Sequence, residues 1–491
     1  MALKYLIFIS LFIFNISKYL TQSQIKAIDD LIEKRMKSVR LNKFGIIIVN
    51  SSSIIHKKVF GEGITTESFF TIGSVTKSFT ALGILKLNIS LDEPLSSFEL
   101  KDYLDDDLAK QLTVQDLMSH SSGLDSSSGK QVGEKGKFLY SNYNYALLGK
   151  IIEKKSEEKN YGDFIKKHIF DELNMTNSGT NFDSNIIDSY DNFFGCLSKY
   201  GYLESDYNEK DGWNIPAGFI RSTIDDMGKY IQSYLNGINN DYLEQMGEPK
   251  TNITHNLYYG MGLFVRNRSG TLIYDHSGSI NSFLTHIYIY PELDFAYFIF
   301  TNTNDAFCPG PFYRFVSILE TLILDDEIIY EQTFTSLDSL EFNLIHTAID
   351  LIILLLITIP ITYLIITIIR KIQKKKPSWF DGVKGKIIFG VEVFILIILP
   401  IILLISLTYA FTRTKDFLFA LLTITISMIV TFFIKLPLKS LFSSNFLPFS
   451  LSLSCTLGSA IRRMAFVNAS MSYGSTNMTS SLSVNKLVSP L

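Results

Sequence analysis

The stretch 71-TIGSVTKSFT-80 sets a serine and a lysine three positions apart, just after the β-like run "SFFTIG" and at the start of the apolar-periodic run "VTKSFTALGILKL". A Ser-x-x-Lys spacing puts both side chains on one face of a helix. The spacing alone has little force, because it recurs at Ser23/Lys26, Ser127/Lys130, Ser156/Lys159 and Ser483/Lys486. None of those pairs combines a strand before it with an apolar helix after it. Ser74 therefore sits at a strand-to-helix junction, where the positive end of the helix macrodipole acts on its oxygen. Lys77 supplies either an ammonium that favours alkoxide character or, where burial lowers its pKa, a base.

Outward from this junction the pattern changes twice. Upstream, "SQIKAIDDLIEKRMKSV" places Ile25, Ile28, Ile32 and Met36 at helical spacing, and "FGIIIVNSSSIIHKKVFGEGI" reads as two strands around a Ser-rich turn. After residue 80 the pattern is mostly helical, as in "LTVQDLMSH" and "NYALLGKIIEKKSEE". Strand signals return in "GLFVRNRSGTLIYDHSG" and "SFLTHIYIYPELDFAYFIFTN". Strands first, helices in the middle and strands last predict an α+β fold. Both ends build one antiparallel sheet flanked by helices, an all-helical lobe is inserted between them, and a cleft forms where lobe meets sheet.

This block spans residues 23–340, and the chain continues past it. With 491 residues, 47% hydrophobic, and a mean hydropathy of +0.19, the sequence is too apolar for an ordinary soluble protein. The excess lies at the ends. Residues 1–22 carry Lys4 and an apolar run from Tyr5 to Ile16, shorter than the roughly 20 residues that span a bilayer. They read as a signal peptide or a retained signal anchor. Within 348–434, the uncharged runs Leu351–Ile369, Val393–Thr412 and Phe417–Ile434 each come close to spanning length, which predicts three transmembrane helices. The loop "RKIQKKK" between the first two belongs on the cytoplasmic side, which places residues 23–340 outside the cytoplasm and the basic tail, 435–491, inside. A net charge of −3 without a basic patch gives no reason to expect nucleic acid. Three cysteines exclude a disulfide framework and a multi-thiolate metal site, and no cofactor or metal is expected. Whether Cys196 and Cys308 pair stays open.

In order and context, "SVTK" at 74–77, "YSN" at 140–142 and "HSG" at 276–278 resemble the three motifs of the β-lactamase-related serine hydrolases. The nearest branches are class C β-lactamases, D-aminopeptidases, related esterases and penicillin-binding proteins. "LTVQDLMSHSSGL", "PAGFIRSTIDDMGKY" and "YGMGLFV" are similar to further segments of that family, and the likeness covers roughly residues 25 to 330. It implies a β-lactamase/transpeptidase-like fold and acyl transfer through an ester on Ser74. Carried over by position, it makes Lys77 the activating partner, Tyr140 the phenolic proton shuttle, Asn142 a hydrogen-bond partner of Lys77 or substrate, and His276 the residue on the sheet edge. Ser277, Gly278 and Ser279 would line the substrate, with the N–H groups of Ser74 and Ser279 as the oxyanion hole.

A phenol titrates near pH 10 and is expected to act as a base only where a cation such as Lys77 depresses it. His276 stands where classical β-lactamases have lysine. An imidazole that titrates near pH 6.5 is expected to favour carboxylate-bearing substrates as pH falls. His120, in "MSHSSG", more simply braces a loop than performs catalysis. The expected partner is a small-molecule or peptide substrate with an ester or amide to cleave, a D-amino-acid peptide or β-lactam-like compound among them. A ligand-sensing receptor and a silent binding protein using the same cleft are the alternatives. The topology makes a direct prediction. Protease added to intact cells should cut within residues 30 to 340 and spare a tag fused after Leu491, and digestion of that tag from outside would overturn the three-span reading.

Overall fold

The computed structural model describes residues 20–193, 196–200, 212–268, 270–305 and 310–325, together with Leu344. The signal-like start, Cys308, the apolar runs beyond residue 348 and the basic tail lie outside the described residues. Among the described residues no helix is long and apolar enough to cross a membrane.

The chain builds thirteen described strands. They are β1 (Phe44–Val49), β2 (Ile54–Phe60), β3 (Phe70–Thr71), β4 (Ser189–Phe193), β5 (Cys196–Tyr200), β6 (Arg221–Ser222), β7 (Thr251–Thr254), β8 (Leu257–Tyr259), β9 (Phe264–Arg268), β10 (Thr271–Ile280), β11 (Phe283–Tyr290), β12 (Phe295–Thr301) and β13 (Thr303–Asn304). Eight form one sheet in the order β2-β1-β12-β11-β10-β9-β8-β7, with every neighbouring pair antiparallel. The amino-terminal hairpin thus joins the carboxy-terminal strands through the β1–β12 ladder, Phe44 opposite Thr301 and Val49 opposite Ala296.

Both central strands are buried on both faces, which explains their unbroken apolar runs. Ile47, Val49, Phe298 and Phe300 face the core shared with the helical lobe. Phe44, Ile46, Ile48, Tyr297 and Ile299 face a second core, closed by the helices Gln22–Ser38 and Gly310–Asp325. A capping box between Thr21 and Gln24 starts the first of these helices. Strand β2 is one edge of the sheet, opposite β7, and Lys57 and Lys58 mark it with charge.

On the lobe side, helix Thr76–Lys86 is buried from Thr76 through Leu85, as befits a helix packed all round. It packs against helices Asn142–Lys155, Tyr161–Ile165 and Ile215–Gly218. The expected α+β layout is present, with more strand than the sequence pattern suggests. β4 and β5 fall inside the stretch read as helical, and β7 and β8 extend the sheet. The two-residue strands β3 and β6 pair antiparallel, Phe70 with Ser222 and Thr71 with Arg221. Strands of two to five residues are too short to show a period of two, which is why they escape a periodicity reading.

The sheet presents the site through a change of partners along β10. Its pairing with β9 ends at Asp275 opposite Phe264, so from His276 onward only β11 lies beside it. The vacated edge receives the turn that carries Ser74. Gly73 has φ +56°, and a Cβ there would lie 2.6 Å from the amide nitrogen of Ser279. A Cβ on Gly278 would lie 2.1 Å from the carbonyl oxygen of Ile72. Backbone meets backbone, and side chains at either position would force the two apart.

Gly45 in β1 tests the packing of sheet on lobe. A Cβ there would come within 2.4 Å of the Phe300 ring and 2.9 Å of Ile224 Cδ1. Gly45→Val should lower stability by about 1–3 kcal/mol, read as a lower urea midpoint at unchanged slope, and an unaltered midpoint would show that this layer can relax.

Candidate active site

Ser74 occupies a single 3-10 turn, Gly73–Val75, that runs directly into helix Thr76–Lys86. The turn is tied from both sides: Ile72 N–H donates to the Ile220 carbonyl at 3.0 Å, and Thr285 Oγ1 donates to the Ile72 carbonyl at 2.7 Å. One helical turn on, Lys77 is 0% exposed. Its Nζ lies 3.1 Å from Ser74 Oγ, 2.7 Å from Asn142 Oδ1 and 2.6 Å from the Ala217 carbonyl oxygen. It also lies 4.9 Å from the centroid of the Tyr140 ring. Asn142 opens helix Asn142–Lys155, and its N–H donates to Ser126 Oγ at 2.9 Å. The Tyr140 phenol lies close enough to the Ser74 side chain to be acted on by it. Ser74, Lys77, Tyr140 and Asn142, separated by as much as 68 positions, thus meet around one oxygen.

Burial holds the Lys77 amine well below the ordinary lysine range. The neutral amine fits its surroundings, since it has two N–H groups for the two closest acceptors, Asn142 Oδ1 and Ala217 O, and a lone pair for the Ser74 hydroxyl. Tyr140 departs from the expectation that a cation lowers its pKa. Burial pushes the phenol up, and the Ser74 side chain pulls it back by less. A desolvated amine that sheds its proton exerts no cationic pull.

His276 also departs from expectation. Its Nδ1 lies 2.7 Å from the Ser277 carbonyl, which can only accept, so Nδ1 carries the proton and Nε2 accepts from the Tyr259 hydroxyl at 3.0 Å. The side chain is 1% exposed, and burial, the largest cause, lowers its pKa to about 3. The imidazole therefore stays neutral where a free histidine would titrate, and it cannot report substrate charge by gaining a proton.

Ser277, Gly278 and Ser279 follow on the free edge of β10. Ser277 gives its carbonyl to the His276 ring, Gly278 receives the Ile72 carbonyl, and the amide of Ser279 abuts Gly73. The Ala217 carbonyl, Ser126 and Tyr259 are parts of the site that sequence reading missed. Only "PAGFIRST" and "YGMGLFV" carried a signal near two of them, and a backbone carbonyl has no residue type to betray it.

Residues 28–309, more than half of the chain, match the family model described as Beta-lactamase. The chain is 28% identical over 265 residues to Beta-lactamase-like protein 4 of Dictyostelium discoideum, covering 44% of this chain and 46% of that protein. It therefore spans about half the length of that relative. It is 24% identical over 362 residues to Protein flp of Staphylococcus aureus (strain MRSA252), covering 62% of this chain and 68% of that one. Among solved structures it is similar to the octameric penicillin-binding protein homologue from Pyrococcus abyssi, with a TM-score of 0.51 and 25% identity over 61% of this chain and 77% of that one.

The buried imidazoles make stability depend on pH. In the folded state His276 and His120 have lowered pKa values, whereas in the unfolded chain both return to about 6.5. As pH falls below that value the unfolded state takes up protons that the folded state refuses, so stability is lost, by at most about 1.4 kcal/mol per pH unit for each histidine. The urea midpoint should drop between about pH 7 and pH 5, with a shallower slope in His276→Gln. Equal slopes would show that His276 is not held neutral by the fold.

Proposed function

The chain belongs to the β-lactamase family, and on that footing we propose that it is a serine hydrolase that cleaves an ester or amide through an acyl-enzyme on Ser74. The observation that carries the proposal is the desolvated amine of Lys77 beside the Ser74 hydroxyl. The neutral amine takes the hydroxyl proton as Ser74 Oγ attacks the acyl carbonyl carbon. The resulting oxyanion lies against the N–H groups of Ser74 and Ser279, and one such donor is worth roughly 3 kcal/mol. Tyr140 keeps its proton until the leaving group needs it. As the bond to the leaving group breaks, the phenol protonates the departing atom and recovers a proton from the Lys77 ammonium. Water then attacks the ester, giving up a proton along the same path in reverse, and Ser74 is released.

His276 stands beside the reaction and not within it. Bonded to Tyr259 and to its neighbour's carbonyl, it acts as a neutral wall that shapes the β10 edge. A substrate carboxylate finds no charge on it, which favours neutral esters and amides over β-lactams as the substrate class. The apolar runs and the "RKIQKKK" loop support a hydrolase tethered to a membrane with its catalytic domain outside the cytoplasm.

Mass spectrometry of the full chain after incubation with a fluorophosphonate tests the mechanism. Labelling is expected on Ser74, to be lost in Ser74→Ala and kept in Ser127→Ala and Ser156→Ala. Lys77→Ala should lower kcat/KM for a neutral ester by about a hundredfold to ten-thousandfold, the usual worth of a positioned base. Labelling that survives removal of Ser74 would sink the proposal.

A further inference from the structure

His120 touches neither Ser74 nor Lys77 by hydrogen bond, yet it is 0% exposed and its backbone has φ +56°, a conformation that histidine seldom adopts. Its two polar groups converge on the chain around Tyr140. The His120 carbonyl accepts from the N–H of Leu139 at 2.9 Å, and the ring Nδ1 accepts from the N–H of Ser141 at 3.2 Å. The segment between those amides carries Tyr140, and the next residue is Asn142. A second N–H donor, Asn144 Nδ2, lies 3.4 Å from the same Nδ1, with its own Oδ1 taken by Ser122 Oγ at 2.8 Å. Two donors on Nδ1 place the ring proton on Nε2.

The imidazole then faces aromatic rings, with centroids 4.3 Å from Tyr140, 4.7 Å from Tyr259 and 5.2 Å from Tyr145. Nε2 is buried without a hydrogen-bond partner, which costs roughly 1–3 kcal/mol. A loop brace needs neither that penalty nor a left-handed backbone. A group selected to hold the Tyr140 ring and the Ser141 amide at once needs both, since the ring must lie against the phenol while Nδ1 reaches the backbone.

We propose that His120 is a positioning residue of the active site, setting the Tyr140 hydroxyl on Ser74 and the Asn142 side chain on Lys77 by gripping the backbone at 139 and 141 and walling the phenol ring. The inference rests on the hydrolase reading for its catalytic consequence and on the hydrogen bonds alone for its structural one. Burial keeps the imidazole neutral, the only state whose Nδ1 can accept from Ser141.

Two variants of the full chain test it. His120→Gly removes the ring while tolerating the left-handed backbone, and His120→Asn tolerates the same backbone while returning an acceptor oxygen near the position of Nδ1. In His120→Gly the peptide that contains Ser141 should lose protection from hydrogen exchange. Its kcat for a neutral ester should fall about a hundredfold, the usual penalty for misplacing a catalytic group by about an ångström, with KM little changed. His120→Asn should restore the protection and recover at least about tenfold of the lost kcat. If the wild type neither labels on Ser74 nor turns over ester, the hydrolase reading falls, and exchange at Ser141 still decides whether His120 holds the segment. Unchanged exchange in His120→Gly, or equal loss of kcat in both variants, overturns the proposal. Should His120→Gly not fold, His120→Ser, too short to reach Ser141, takes its place in the same comparison.

Discussion

A lysine amine with no access to water is the constraint on which the site turns. Taking Nζ of Lys77 out of solvent is unfavourable for its charged form, and the fold satisfies the neutral form with groups from two separate elements. Asn142 comes from the first residue of one helix, and Ala217 offers a carbonyl from a short helix whose backbone also binds the lobe. Neither partner is near Lys77 in sequence. The lobe must therefore close around helix Thr76–Lys86 before the Lys77 amine is desolvated and held by both partners. The same closure raises the Tyr140 phenol and keeps its proton in place.

The sheet contributes through an incomplete ladder. β10 has two partners along its first half and only β11 along its second, so past His276 the side that faced β9 is left without a neighbouring strand. Unpaired strand edges are ordinarily a liability. Here the turn bearing Ser74 fills the edge, with glycine on both sides of the contact. The close approach sets the Ser279 amide against Gly73, the neighbour of Ser74, with no side chain between the two backbones.

A histidine in place of lysine on that edge changes more than charge. Lysine would project an ammonium, whereas His276 turns both ring nitrogens inward, to Tyr259 and to the Ser277 carbonyl. Together with His120 and the tyrosines at 140, 145 and 259 it forms an aromatic wall, buried except at the half-buried Tyr140. Within it the hydrogen bonds place the His276 proton on Nδ1 and the His120 proton on Nε2. The wall's electrostatic character is neutral throughout the range where free histidines titrate.

Much of this was legible in the amino-acid sequence. The strand–helix–strand order and the antiparallel sheet joining both ends of the block could be read from periodicity, and Ser74 and Lys77 stood out at a strand-to-helix junction, whereas Tyr140, Asn142 and His276 came only with the resemblance of their motifs to a known family. The membrane spans were read from the length of apolar runs and concern residues that the structure does not describe. What only the tertiary structure decided was the state of those groups. Whether Lys77 is a cation or a base, whether Tyr140 gains or loses acidity and whether His276 can titrate all depend on desolvation, and desolvation is set by atoms from distant parts of the chain. The Ala217 carbonyl and the grip of His120 on Ser141 belong to the same class. The first is a backbone carbonyl and the second is an imidazole holding a backbone amide, so in each case one partner is a group that residue type does not mark, and only placement in space gives it a role.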